Sequence, residues 1–324
     1  MRLKLFYMFS LCCFSLFIVA QEKIANKEFQ YQDVTGIGFE KGITRRDPSD
    51  VIKVGNKHYV YYTKVYGKSS GYWGTIWCAE SSDKGYTWKE KGEILSVGKK
   101  GTFDSHAVFT PNIIYTNGKY YLYYTGVRPT PDRTDGVFEN NHKNDITAIG
   151  VAVSDTPDGP FMRVNDEPVL QISSNQTAFD SYRIDDAALL YKDNKYWLYY
   201  KGRCFLDGTT GARNTKMGVA FSDSPTGPFV KYNKPLLTNS HEVLIWKEVS
   251  GIYALASLSS SIEKSTDGLD FQSVALHVEK KNRPNAPGAF RIDLTDVNKT
   301  ENLSWGVSMV SKDKSCYLVR YSFE

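Results

Sequence analysis

Four stretches of the chain share one alternation: a polar head, a pair of apolar residues, a short turn, then a strand rich in tyrosine. The first opens at Thr44-Arg45-Arg46-Asp47 and leads to His58-Tyr59-Val60-Tyr61-Tyr62. The second runs from Pro111-Asn112-Ile113-Ile114 through Asn117-Gly118 to Tyr120-Tyr121-Leu122-Tyr123-Tyr124. The third runs from Arg183-Ile184-Asp185-Asp186 through Asp193-Asn194 to Tyr196-Trp197-Leu198-Tyr199-Tyr200, and the fourth from His241-Glu242 to Ile252-Tyr253-Ala254-Leu255. Two β-rich runs joined by Asn-Gly or a similar pair predict a hairpin. Repetition of short strands at intervals of about 40 to 70 residues predicts a propeller or a solenoid.

A second motif recurs once per unit. Ser82-Asp83-Lys84-Gly85, Ser154-Asp155 to Gly159, Ser222-Asp223 to Gly227 and Ser265-Thr266-Asp267-Gly268 are each followed by an aromatic residue. Glycine supplies the positive φ of a tight turn, and the aromatic anchors an outer strand on the next sheet. The segments around Phe103-Asp104-Ser105 and Phe179-Asp180-Ser181 align without a gap, which sets Phe109 opposite Asp185. A fifth unit is expected over Asn285 to Phe323, closed by a strand from Phe29 to Val34. The expected fold is therefore all-β, a single five-bladed β-propeller over residues 21–324.

Composition changes this picture at the N-terminus. Arg2 and Lys4, the apolar run from Leu5 to Val19, and Ala20 before Gln21 have the form of an export signal, so residues 1–20 are read as a signal peptide. The expected location is periplasmic or secreted, with no membrane association after cleavage. Without Arg2 and Lys4 the formal charge of +4 falls to near +2, too balanced for a nucleic-acid partner. Cys78, Cys204 and Cys316 show no CxxC spacing, so neither a zinc site nor a disulfide framework is indicated. No cofactor is required, the propeller axis leaves room for a structural divalent cation, and the oligomeric state stays open.

Innermost strands of a propeller begin at one mouth of the central funnel, so the heads of the repeats converge there. Those heads carry Asp47, Asp185, Asp186, His241 and Glu242. Glycosidic cleavage needs such a set: one carboxylate to activate water or attack, one group to protonate the leaving oxygen, and one to tune the donor. Arg45-x-Asp47 and Arg183-x-Asp185 read as equivalent, which favours Asp185 over Asp186 as the working acid. Arg45, Arg183, Asp186, His106 and Trp73 are the candidate sugar-binding residues.

Arg46-Asp47-Pro48-Ser49, the Asp185-Asp186 pair and His241-Glu242, in this order on a five-unit repeat, resemble glycoside hydrolase family 117, the exo-acting 3,6-anhydro-α-L-galactosidases. The resemblance implies an inverting hydrolysis that releases terminal 3,6-anhydro-L-galactose from agar-type oligosaccharides. It implies Asp47 as general base, Asp185 as the group that holds the sugar and adjusts the donor, and His241 as general acid supported by Glu242. An imidazole at its ordinary pKa near 6.5 is partly protonated at neutral pH, which suits a donor. Two rival readings are a family 43-like arabinofuranosidase or xylosidase, in which a glutamate is the donor, and a catalytically silent carbohydrate-binding propeller.

Overall fold

Tyrosine and β-branched residues fill the repeated strands because such side chains fit a pleated surface buried on both faces. The computed structural model describes residues 28–66, 74–129, 145–207, 213–291, 302–313 and 315–324. The predicted signal segment, Trp73 and most of the insertion after Val127 lie outside the described residues.

The chain opens with β1 (Phe29–Asp33). Blade 1 holds β2 (Ile43–Arg46), β3 (Val51–Val54), β4 (Lys57–Tyr66), β5 (Thr75–Ser81) and β6 (Lys89–Leu95). Blade 2 is β7 (Ala107–Thr116), β8 (Lys119–Pro129), β9 (Asp145–Ser154) and β10 (Met162–Arg163). Blade 3 is β11 (Arg183–Lys192), β12 (Lys195–Arg203), β13 (Lys216–Ser222) and β14 (Val230–Lys231). Blade 4 is β15 (Ile245–Glu248), β16 (Gly251–Ala256), β17 (Ser261–Ser265) and β18 (Gln272–His277). Blade 5 holds β19 (Asn285–Arg291), β20 (Trp305–Lys312) and β21 (Ser315–Phe323).

β1 completes blade 5 by pairing antiparallel with β21, Phe29 opposite Phe323, so strands from both chain ends close the ring. Blades 5 and 1 are further joined by a parallel pairing of β19 with β3, Arg291 opposite Ile52. The expected all-β propeller is the architecture observed. The predicted hairpin turns adopt left-handed backbone at Asn117-Gly118 and Asp193-Asn194, the geometry that matches strand twist.

In blades 1 to 3 the Tyr-Tyr pair of the second strand of the hairpin does two jobs. Its first member reaches the turn of the next blade: Tyr61 donates to the Pro157 carbonyl at 2.6 Å, Tyr123 to that of Pro225, and Tyr199 to that of Gly268 at 3.2 Å. The recurrent Ser-Asp-Gly turns are thus the sockets of an inter-blade clasp. Its second member stays at home: Tyr124 donates to Asp104 and Tyr200 to Asp180, each at 2.9 Å. Arg163 and Lys231 close those acids from the outer strands at 2.6 and 2.5 Å. The aligned Phe-Asp-Ser segments therefore hold the blades together. Gly126 and Gly202 are small for the same reason, since a Cβ at either would meet the Phe103 or Phe179 ring within 2.6 to 2.7 Å.

Candidate active site

Four of the five innermost strands are interrupted at the same height. In blades 2, 3 and 5 the register slips between Phe109 and Asn112, between Asp185 and Ala188, and between Asn285 and Gly288. In blade 1 the strand breaks outright between Arg46 and Val51. The residue at the break sits in the left-handed region at Asp47 (φ 48°), Thr110 (46°), Asp186 (54°) and Ala286 (42°). That conformation is costly for residues other than glycine and asparagine and persists where surroundings impose it. A bulge re-aims its side chain. Here it turns one residue per blade toward the axis.

The result is a cavity at the axis lined by two consecutive residues from every blade: Asp47-Pro48, Thr110-Pro111, Asp186-Ala187, Glu242-Val243 and Ala286-Pro287. Asp50 and Asn112 form its deeper wall. Three of the five slots therefore hold carboxylic acids, from blades 1, 3 and 4. Their environments differ. Asp47 is buried and accepts a hydrogen bond from Arg46 Nε at 2.7 Å. Asp186 is raised to about 7, first by burial, then by repulsion from Asp185 and Asp47 against the attraction of Lys201 at 2.6 Å. Glu242 is raised by burial and by Asp47, while the Ala286 N–H, Lys201 and Arg283 oppose the shift. Its Oε2 is enclosed with no hydrogen-bond partner among the described residues.

The aligned register corrects the choice between the two adjacent aspartates. Asp186, not Asp185, occupies the slot of Asp47. Asp185 lies one residue earlier, its side chain 1% exposed against 15% for Asp186, locked between Arg183 Nε at 2.6 Å and Lys201 Nζ at 3.1 Å. Those two cations hold its carboxyl well below the usual range, although burial works against them. The apparent Arg-x-Asp equivalence failed because Arg46, not Arg45, serves Asp47. Arg45 turns the other way, to Glu40 at 2.7 Å and to Glu90 of β6 at 3.1 Å, so it does not face the cavity. Arg183 is consumed in the Asp185 pair and stacks on Phe109 rather than lining the cavity.

The surroundings of His241 run against the expected donor role. Its pKa is lowered to about 3, chiefly by Lys201, then by burial and by Arg203 and Arg183, with Asp185 opposing. Its Nδ1 lies 3.3 Å from the Thr215 hydroxyl. His106 is half-buried at the start of β7 beside Ser105 Oγ at 3.0 Å, away from the cavity lining. Trp73 lies outside the described residues. Among the described residues no cluster of three His, Cys, Asp or Glu side chains could hold a metal, and Cys78, Cys204 and Cys316 are free thiols.

Sequence reading missed Lys201 and Asn112, and it placed Asp186 in a secondary role. One signal was present: three of the five slots, at Asp47, Thr110 and Ala286, are followed by proline.

A cavity that brings carboxylic acids from separate blades together on a propeller axis is suited to glycosidic chemistry. A family model of glycosyl hydrolases family 43 matches residues 43–188. A xylosidase/arabinosidase 43A of Humicola insolens is 34% identical over 98 residues, 30% of this chain and 23% of that protein. A xylosidase/arabinosidase of Bacteroides ovatus is 25% identical over 144 residues, 44% of this chain and 41% of that protein. The chain thus spans less than half the length of these two curated relatives. Among solved structures, Zg3597, a family 117 glycoside hydrolase of the marine bacterium Zobellia galactanivorans, superposes with a TM-score of 0.78 at 26% identity, covering 92% of this chain and 91% of that one. The chain is thus similar to glycoside hydrolases of families 43 and 117 and shares the propeller architecture. Its sequence likeness points to family 43, and its whole-chain structural likeness includes a family 117 enzyme.

Proposed function

We propose that the protein is an inverting glycoside hydrolase whose donor is Glu242 and whose base is Asp47, acting on a terminal α-L-arabinofuranosyl or β-D-xylosyl residue. The observation that carries this is that Asp47, Asp186 and Glu242, from three blades, line a single cavity, the first two at equivalent left-handed positions. Asp47 takes a proton from water as the water oxygen bonds to the anomeric carbon. The glycosidic carbon–oxygen bond breaks, and Glu242 gives its proton to the departing oxygen. Burial raises the Glu242 pKa above its ordinary value, the direction that favours a proton donor. Asp186, held by Lys201, accepts a hydroxyl of the bound sugar and changes charge near neutrality.

The sugar class follows the family 43 match and the xylosidase/arabinosidase relatives. A second reading is favoured by the structural likeness to a family 117 enzyme over 92% of the chain: release of 3,6-anhydro-L-galactose from agar-type oligosaccharides. On either reading the substrate is an extracellular glycan, and the signal read at residues 1–20 would carry the enzyme to the periplasm or the medium.

Digests of arabinan, arabinoxylan, xylo-, agar, porphyran and carrageenan oligosaccharides, with NMR of the first anomer formed, test the proposal. Arabinose or xylose of inverted configuration is expected, abolished by Glu242→Gln and retained by His241→Ala. Anhydrogalactose release that His241→Ala abolishes would replace the first reading with the second. Tight binding without product on every glycan would leave a silent sugar-binding propeller.

A further inference from the structure

Below the ring of slots, one buried guanidinium touches most of the molecule. Arg291 of β19 donates Nη1 to the Leu189 carbonyl of blade 3 at 3.0 Å and Nη2 to the Ile245 carbonyl of blade 4, and its Nε lies 3.0 Å from Asp50 Oδ2 of blade 1. Asp50 Oδ1 accepts the Ala289 N–H of blade 5 at 2.8 Å, and its Oδ2 accepts Asn112 Nδ2 of blade 2 at 3.0 Å. Asn112 Oδ1 in turn accepts the Leu189 N–H at 3.3 Å. Every innermost strand is tied to this knot. A buried charge is tolerated when it is paired and hydrogen-bonded. Asp50 accepts two hydrogen bonds, and Arg291 donates through Nη1 and Nη2 and meets Asp50 through Nε as an ion pair without a hydrogen bond at that atom.

Asp50 also lines the cavity, so the site contains a fourth carboxylate besides Asp47, Asp186 and Glu242. We infer that Arg291 is a positioning residue that neutralises Asp50, keeping it out of the set that exchanges protons, and fixes the five inner strands at the radius where the three reacting acids converge. The inference rests on the reading of those three acids as the reacting set. Groups facing them are Lys201, Asp185 and Asp47 around Asp186, and Lys201, Arg283 and Asp47 around Glu242. Arg291 and Tyr321 face Asp50, and the Tyr321 hydroxyl is raised by burial and by Asp50, with Arg291 opposing. An unneutralised charge on Asp50 would add to the repulsion already acting on Asp186 and Glu242.

Carboxyl 13C NMR titration of the ligand-free protein, with circular dichroism to establish folding, separates charge from scaffolding. Arg291→Met removes a positive charge and is expected to move the Asp186 and Glu242 titrations to higher pH. Asp50→Asn removes a negative charge and is expected to move them lower. Each displacement should be at least about half a pH unit for charges this close in a partly buried site. Arg291→Lys, which keeps the charge, should stay nearer the wild type than Arg291→Met. The alkaline limb of kcat/KM should follow the same directions, with KM little changed. A purely structural role predicts no opposed displacement, so shifts of one sign in both variants, or none in either, overturn the inference. If Arg291→Met does not fold, a downward shift in Asp50→Asn beside an unmoved Arg291→Lys decides for it, and an unmoved Asp50→Asn decides against it. Since the titration needs no substrate, opposed shifts in a protein inert on every glycan would retain this inference while ending the hydrolase reading. Turnover with unmoved titrations would do the reverse.

Discussion

Blades 2 and 3 are one piece of backbone carrying two chemistries. Where blade 2 packs Ala107, Phe109 and Val127 as a small apolar cluster, blade 3 places Arg183, Asp185 and Arg203. Where Thr110 and Thr125 share a hydrogen bond at 2.6 Å, Asp186 and Lys201 form an ion pair at the same separation. The bulge, the left-handed residue and the hairpin partners correspond throughout. Burial without charge asks nothing further of blade 2. In blade 3 each buried charge needs a counter-charge, and Asp185 meets Arg183 and Lys201 while Asp186 meets Lys201. Lys201, Arg203 and Arg183 also act on His241 and lower its pKa, with Asp185 opposing.

The sharpest way to break the contrast is to remove the acids that only the charged blades supply. Asp47→Asn and Glu242→Gln should each lower kcat/KM by about 10²–10⁴-fold, the usual worth of a positioned base or acid. Neither change enlarges a cavity, so the thermal midpoint should change little. Activity within a few-fold of wild type in either variant would remove that residue from the mechanism. With Glu242 as donor, kcat should fall as pH rises through the raised pKa of that group, whereas titration of His241 lies too far acid to shape this limb.

Much of this was open to reading in the sequence, and the part that was not has a physical cause. The period, the hairpins at Asn117-Gly118 and Asp193-Asn194, and the closing strand at Phe29 follow from local patterns that one stretch of chain can carry. The one-residue choice between Asp185 and Asp186 depends on how many residues a bulge leaves unpaired, and that count shows only when strands are paired. Arginine positions misled for a similar reason: Arg46 bonds its immediate neighbour Asp47, while Arg183 bonds the residue two along. Arg291 has no motif, and its partners come from three other blades. The fate of His241 depends on Lys201, Arg183 and Arg203, which the ring alone brings near.

A milder intervention gives blade 3 the chemistry of blade 2. The double variant Asp186→Thr with Lys201→Thr should fold, since the same pair already exists between Thr110 and Thr125. It should lose part of its turnover, mainly through KM if Asp186 holds the sugar. It should also change how stability depends on pH. The folded-state pKa of Asp186, about 7, lies above its unfolded carboxylate value, so the native state keeps this proton longer. The stability it contributes is present at low pH and is lost as pH rises from about 4 toward 7. The wild-type thermal midpoint should therefore fall more between pH 5 and 8 than that of the double variant. A difference of about 1 kcal/mol would appear as about 2–4 °C. Parallel pH profiles would mean that Asp186 carries no excess proton in the native state.

The smallest effect tests where the two blades are alike. Tyr123 of blade 2 and Tyr199 of blade 3 both cross to the next blade and donate to a turn carbonyl, and both are fully buried. Tyr123→Phe keeps the ring and its packing against Phe229, and it removes only the hydroxyl, leaving the Pro225 carbonyl without that donor. An uncharged hydrogen bond lost in this way costs about 1 kcal/mol, or somewhat more where the orphaned acceptor stays buried. The equivalent change Tyr199→Phe should cost about the same, because the clasp depends on the shared backbone and not on the slot chemistry. Neither variant should alter kcat or the pH profile beyond about two-fold. A Tyr199→Phe enzyme with a displaced alkaline limb would show that the clasp reaches the charged network of blade 3, and the division between a common scaffold and blade-specific slots would then fail at the one blade where charge is densest.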